Sequence, residues 1–154
     1  MTGTDPTATP IDVLLVEDSP GDVRLTREAF REANGAIHLH VAYDGVEALA
    51  FLRRQGKYAD APRPDFILLD LNLPKVDGRQ VLVQIKGDDD LKTIPTIILT
   101  TSDAEVDILK SYELQANCYL TKPVQLDVFE ELVRSINDFW LKQVRLPPHE
   151  SAAL

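Results

Sequence analysis

Five polar side chains stand at the ends of short apolar runs: Glu17 and Asp18 after IDVLLV, Asp70 after FILL, Thr100 closing TIILT, and Lys122 after NCYLT. If those runs are parallel strands of one open sheet, their carboxyl ends share an edge, and that edge is where such sheets bind ligands. Three acids, a hydroxyl and a lysine then converge. Two carboxylates about 4 Å apart repel by about 4 kcal/mol at an effective dielectric of about 20, so the cluster requires a proton or a cation. Hard oxygen donors at a partly open site suit Mg²⁺, which keeps several waters and takes one or two carboxylates together with a phosphate. A carboxylate is also a nucleophile for phosphoryl transfer, where catalysis is positioning and charge neutralisation. Singly, each residue has a plainer reading. Asp18 before Ser-Pro is a turn or cap, Asp70 caps a loop, Lys122 pairs on the surface, and Thr100 is a β-branched strand former. Their joint placement argues for a site.

The elements that must position them are legible in the periodicity. Apolar β-type runs alternate with segments of helical period: Ile11–Val16, then 20–34; 37–43, then 46–54; 65–70, then 78–86; 96–100, then 104–115; 117–120, then 126–144. Five strands alternating with five helices predict an α/β fold with a parallel sheet covered on both faces. The unbroken runs LLV, FILL and IIL agree, since strands buried on both faces need not alternate. Ser19-Pro20 reads as an N-cap and first-turn proline, Asn34-Gly35 as a helix stop, and Ser102 to Glu105 as a capping box. Residues 56–64 read as an exposed loop, and Asp88-Asp89-Asp90 as a solvated helix end.

Composition sets the outer limits. The chain has 154 residues, enough for one domain with its own core. Residues 1–10, polar and rich in Thr and Pro, are expected to be a flexible arm, 11–145 the folded domain and 146–154 a tail. A net charge of -9 disfavours non-specific nucleic-acid binding. No apolar run approaches the roughly 18 residues of a membrane-spanning helix. The amino terminus carries no secretory signal pattern. Cys118 is the only cysteine, which fits a reducing, cytoplasmic setting, and inside a strand it reads as a small hydrophobe. His38 and His40 share a strand face, which would permit a metal pair; with only His149 besides, core or surface packing is the preferred reading. No phosphate-binding loop or GxGxxG occurs.

The set Glu17-Asp18, Asp70, Thr100 and Lys122-Pro123 resembles, in order and strand-end placement, the receiver domain of two-component response regulators (CheY-like), over about Ile11 to Val144. The resemblance implies a three-layer, doubly wound sheet of strand order 2-1-3-4-5, with Asp70 as phosphoacceptor. It implies Mg²⁺ held by Asp18, Asp70 and the backbone carbonyl of Asn72, with Glu17 acting through water. It implies further that Lys122 contacts the phosphoryl oxygens, that Thr100 and Tyr119 form the switch, and that the Lys122–Pro123 peptide is a candidate for cis. The Thr100 hydroxyl is expected to move onto the phosphoryl group, Tyr119 turning inward behind it. The segments FLRRQGKYADAPRPDFILLDLNLPK, SYELQANCYLTKP and INDFWLKQVRLPP resemble stand-alone response regulators of phytochrome-type histidine kinases. That likeness implies such a kinase as phosphodonor, no output domain, and a homodimer. The dimer would use the fourth helix, fifth strand and fifth helix with the C-terminal segment, where Phe139, Trp140 and 146–148 are candidates. Two alternatives remain at this point: a receiver-like module that ignores phosphate, and a haloacid-dehalogenase-type phosphohydrolase. The latter requires an acid two residues after its nucleophile, where this chain has Asn72.

Overall fold

The apolar runs rich in Val, Ile and Leu become strands β1 (Ile11–Val16), β2 (Ile37–Ala42), β3 (Phe66–Leu69), β4 (Thr96–Thr100) and β5 (Cys118–Thr121). Helices α1 (Pro20–Arg31), α2 (Gly45–Leu52), α3 (Gly78–Lys86) and α4 (Glu105–Glu113) connect them, and α5 (Leu126–Asp138) follows. This is a computed structural model describing residues 11–31, 37–140 and 144–148. The strands pair in parallel in the order β2-β1-β3-β4-β5, the order expected.

Side chains alternate across a strand, so the sheet sorts its apolar residues into two layers. Val13 and Leu15 pack with Phe66, Leu68, Ile97 and Leu99 beneath α1 and α5, whose Phe30, Phe129 and Val133 complete that layer. Leu14 and Val16 join Ile67, Leu69 and Ile98 against Phe51 of α2 and Val81, Leu82 and Ile85 of α3. Both faces are covered, which is why these runs carry no polar alternation.

Helix starts are mostly set by side-chain caps. The Ser19 hydroxyl accepts from the Asp22 N–H, as expected, and Asp44 and Asp77 accept from Glu47 and Arg79 at the starts of α2 and α3. The Ser102 capping box does not form. α4 begins after Ala104 without a side-chain cap; the Ser102 hydroxyl donates to Asp107 at 2.7 Å and accepts from the Ala104 N–H at 3.4 Å. The Lys122–Pro123 peptide is trans, the lower-energy isomer of an X–Pro bond, and not cis.

The α-helical part of the last helix, α5, ends at Asp138 and a wider turn begins at Phe139, whose carbonyl accepts from the Val144 N–H; residues 141–143 of the expected helix lie outside the described residues. The expected exposed loop is exposed at Gly56, Lys57, Ala59 and Asp60, but 61–63 are half-buried and Pro64 is buried; its one 3₁₀ turn (Gly56–Tyr58) places the Tyr58 ring edge-on against Phe51. Asp88 to Asp90 form a solvated turn after α3. The expected arm 1–10, the Asn34-Gly35 stop and residues 149–154 lie outside the described residues. Among the described residues no helix is long and apolar enough to cross a membrane.

Gly78 positions the site through close approach. A Cβ there would stand 2.1 Å from the Asp70 carbonyl oxygen and 2.5 Å from the Leu71 Cα, so only glycine lets α3 start against the loop that follows β3. Gly78→Ala is therefore expected to lower stability by about 1–3 kcal/mol, seen as a lower urea midpoint at unchanged slope. A midpoint equal to wild type would show that the contact is not constraining.

Candidate functional site

Register brings the acids together before any side-chain contact is considered. Val16 of β1 is paired with Leu69 of β3, so the residues that follow, Glu17 and Asp70, leave neighbouring strands side by side. The Asp70 N–H continues the ladder to the Val16 carbonyl, and the Lys122 N–H continues β5 onto the Thr100 carbonyl. Four strand ends thus deliver Glu17-Asp18, Asp70, Thr100 and Lys122 to one edge of the sheet.

The centre of the cluster is the Lys122 ammonium. Its side chain is only 5% exposed, and Nζ donates to Glu17 Oε1, to Asp22 Oδ2 at 2.9 Å and to Asp70 Oδ2 at 3.1 Å. Those carboxylates hold Lys122 protonated against the opposing cost of burial. Asp70 is held on its other oxygen as well. Oδ1 accepts from the Thr100 hydroxyl at 2.7 Å and from the Asn72 N–H at 3.0 Å. Asn72 also directs its side-chain amide to Thr100 Oγ1, at 3.4 Å. The same hydroxyl is the one expected to move onto a phosphoryl group carried by Asp70, and here it reaches the carboxylate.

Glu17, Asp18 and Asp70 each offer an oxygen within 4.8 Å of the others, with Asp18 exposed and the other two buried. With Asp22 included, four carboxylates face one ammonium, an imbalance that a divalent cation would correct. The donor set fits such an ion: hard oxygens, one side open to solvent. Burial pushes the Glu17 carboxyl up to about 7, with the Asp70 charge adding to it and Lys122 opposing. The two histidines do not assemble a comparable group among the described residues. His40 Nε2 meets Asp12 Oδ1 at 2.9 Å and His38 Nδ1 lies 3.6 Å from the same oxygen, at the opposite end of β1.

Tyr119 lies outside the carboxylate cluster. It is half-buried on β5 and its hydroxyl donates to the Ser102 carbonyl at 2.9 Å, so it reaches the site through the segment after Thr100. Cys118 is half-buried, and burial raises its thiol, in keeping with a packing role. Asp22 is the residue the sequence did not reveal. An acid in the first turn of a helix is favoured by the helix dipole alone, which hides its contact with a lysine 100 positions away.

The response regulator receiver domain profile matches residues 13–134. The chain belongs to the response regulator receiver family. It is 51% identical to the response regulator Rcp1 of Synechocystis sp. over 135 residues, covering 88% of this chain and 92% of that protein. The crystal structure of the Mn²⁺-bound form of Rcp1 superposes with a TM-score of 0.88 at 50% identity, over 90% of this chain and 100% of that one. The phosphorylated cyanobacterial phytochrome response regulator RcpA gives 0.89 at 47% identity, over 91% and 100%. Membership makes this receiver a signalling protein, and the phosphohydrolase alternative falls with it.

The raised Glu17 carboxyl has a consequence for stability. Between about pH 4.5 and 7 the folded protein keeps a proton that the unfolded chain has released, so this group's contribution is full below that window and is lost as pH rises through it. In metal-free buffer, the stability of wild type relative to Glu17→Gln should fall by about 2 kcal/mol between pH 5 and 7.5, measured by urea unfolding. A difference independent of pH would contradict the assignment.

Proposed function

We propose that this receiver is a phosphorylation switch, taking a phosphoryl group on Asp70 from a phytochrome-type histidine kinase. The observation that carries the reading is the treatment of Asp70, whose two oxygens meet a hydroxyl, a backbone N–H and a buried ammonium. One carboxylate oxygen attacks phosphorus, the phosphorus–nitrogen bond of the donor phosphohistidine breaks, its imidazole leaves, and an aspartyl phosphate remains. The Lys122 ammonium stands beside the nucleophile, where negative charge on the incoming oxygens needs neutralising. Mg²⁺ would be held by Asp18, Asp70 and the Asn72 carbonyl, with Glu17 through water, and when bound supplies further positive charge to the phosphoryl group. Thr100 and Tyr119 carry the switch, since one touches Asp70 and the other touches the loop that follows Thr100.

Support for the kinase class comes from RcpA, described as a phytochrome response regulator. The reading also makes the face of α4, β5 and α5 the output surface and the site of a homodimer. Val106, Leu109 and Tyr112 on α4 are 72%, 62% and 49% exposed, more apolar area than a solvent-facing helix needs. Of the C-terminal candidates, Phe139 is exposed and available to such a contact. Trp140 and Leu146 are half-buried and pack partly on the core layer under α5, Trp140 against Phe66, while Pro147 and Pro148 are exposed.

Incubation with acetyl phosphate and Mg²⁺ is expected to add one phosphoryl group by intact mass to wild type, and none without Mg²⁺ or in Asp70→Asn. Sedimentation of the same samples should show a larger species in the phosphorylated protein or in both. Folded wild type that gains no mass from acetyl phosphate or from a phosphorylated phytochrome kinase would leave a phosphate-independent module. A monomer under both conditions would remove the dimer.

A further inference from the structure

Arg79 takes no part in the carboxylate cluster, yet its guanidinium reaches both loops that frame it. It sits in the first turn of α3, where a cation opposes the helix dipole, so local electrostatics do not explain it. Nη1 donates to the Leu71 carbonyl at 3.3 Å, one residue beyond Asp70, and to both oxygens of Asp77 at 3.1 Å. Nε and Nη2 take the two oxygens of Asp107, in the first turn of α4, at 2.8 and 2.7 Å.

Asp107 passes the contact on. It accepts the Ser102 hydroxyl at 2.7 Å, and the carbonyl of that same Ser102 accepts the Tyr119 hydroxyl at 2.9 Å. A continuous chain of hydrogen bonds therefore runs from the loop carrying Asp70, through Arg79, Asp107 and Ser102, to Tyr119 on β5. The Arg79 side chain is 36% exposed and that of Asp107 16%, so the charge attraction is partly screened. Its value lies in the planar fork, which fixes the two helix starts in a way a point charge would not.

We infer that Arg79 is a positioning residue for the switch: through Asp107 it fixes Ser102, and with it the carbonyl on which the Tyr119 hydroxyl rests. This rests on the reading of Thr100 and Tyr119 as the switch of Asp70. Loosening the clasp frees the segment after Thr100, so the Tyr119 ring loses its preferred hydrogen bond and the bias of the switch changes.

The test is ¹⁹F NMR of protein labelled with 3-fluorotyrosine. The chain has 4 tyrosines, and the Tyr119 line is assigned by its loss in Tyr119→Phe. Arg79→Gln, Asp107→Asn and Arg79→Lys, which keeps the charge but loses the fork, are each expected to move the Tyr119 line while leaving those of Tyr43 and Tyr58 in place. Three variants attack the clasp from both sides, so misfolding of one does not end the experiment. A Tyr119 line unmoved in folded variants overturns the inference.

Kinetics with acetyl phosphate give the second arm. Arg79→Gln should change the phosphoryl uptake rate about fivefold, the low end of typical coupling between sites, and Tyr119→Phe should add little in that background. Independent, additive effects overturn the inference. If wild type takes no phosphoryl group from acetyl phosphate or from a phosphorylated phytochrome kinase, the phosphorylation reading fails, and the fluorine spectra still decide whether Arg79 governs Tyr119.

Discussion

The site depends on one buried cation. Glu17, Asp22 and Asp70 sit together only because the Lys122 ammonium lies among them, and Lys122 is tolerated in the interior only because they surround it. Removing one partner of such a group costs about 3–5 kcal/mol, since a charge is then left buried and uncompensated. The contacts span 105, 100 and 52 positions of sequence and join the end of β5 to the end of β1, the first turn of α1 and the end of β3, across the intervening β4. The cluster therefore forms only after the sheet has assembled in its final order. The lysine neutralises one charge and leaves an excess of carboxylates, which is the condition for recruiting a divalent cation and then a phosphoryl group.

Two kinds of sequence signal were legible, and a third was not. The five strands and their order could be read because a parallel sheet buried on both faces writes itself as short unbroken apolar runs, such as Phe66–Leu69. Asp70, Thr100 and Lys122 could be read because each stands at the end of such a run. Asp22 and Arg79 could not. Each lies in the first turn of a helix, where its neighbours in sequence give no hint of partners 100 and 28 positions away.

The same distinction explains the corrections. The spacing Ser102 to Glu105 describes a local cap, but the Ser102 hydroxyl donates to Asp107, which a distant arginine also holds. Trp140 and Leu146, half-buried, pack partly on the core layer, a contact that their apolar character alone did not reveal. In both cases the local pattern left a tertiary partner unstated.

We propose that this arrangement directs a phosphoryl group to Asp70 and to no other acid of the cluster. Borohydride reduction of the phosphorylated protein converts an aspartyl phosphate to homoserine, and peptide mass spectrometry then locates it. The account predicts homoserine in place of Asp70 alone. Reduction product at Asp18 or Asp22, or an unmodified Asp70 in protein that has gained a phosphoryl group, would contradict it.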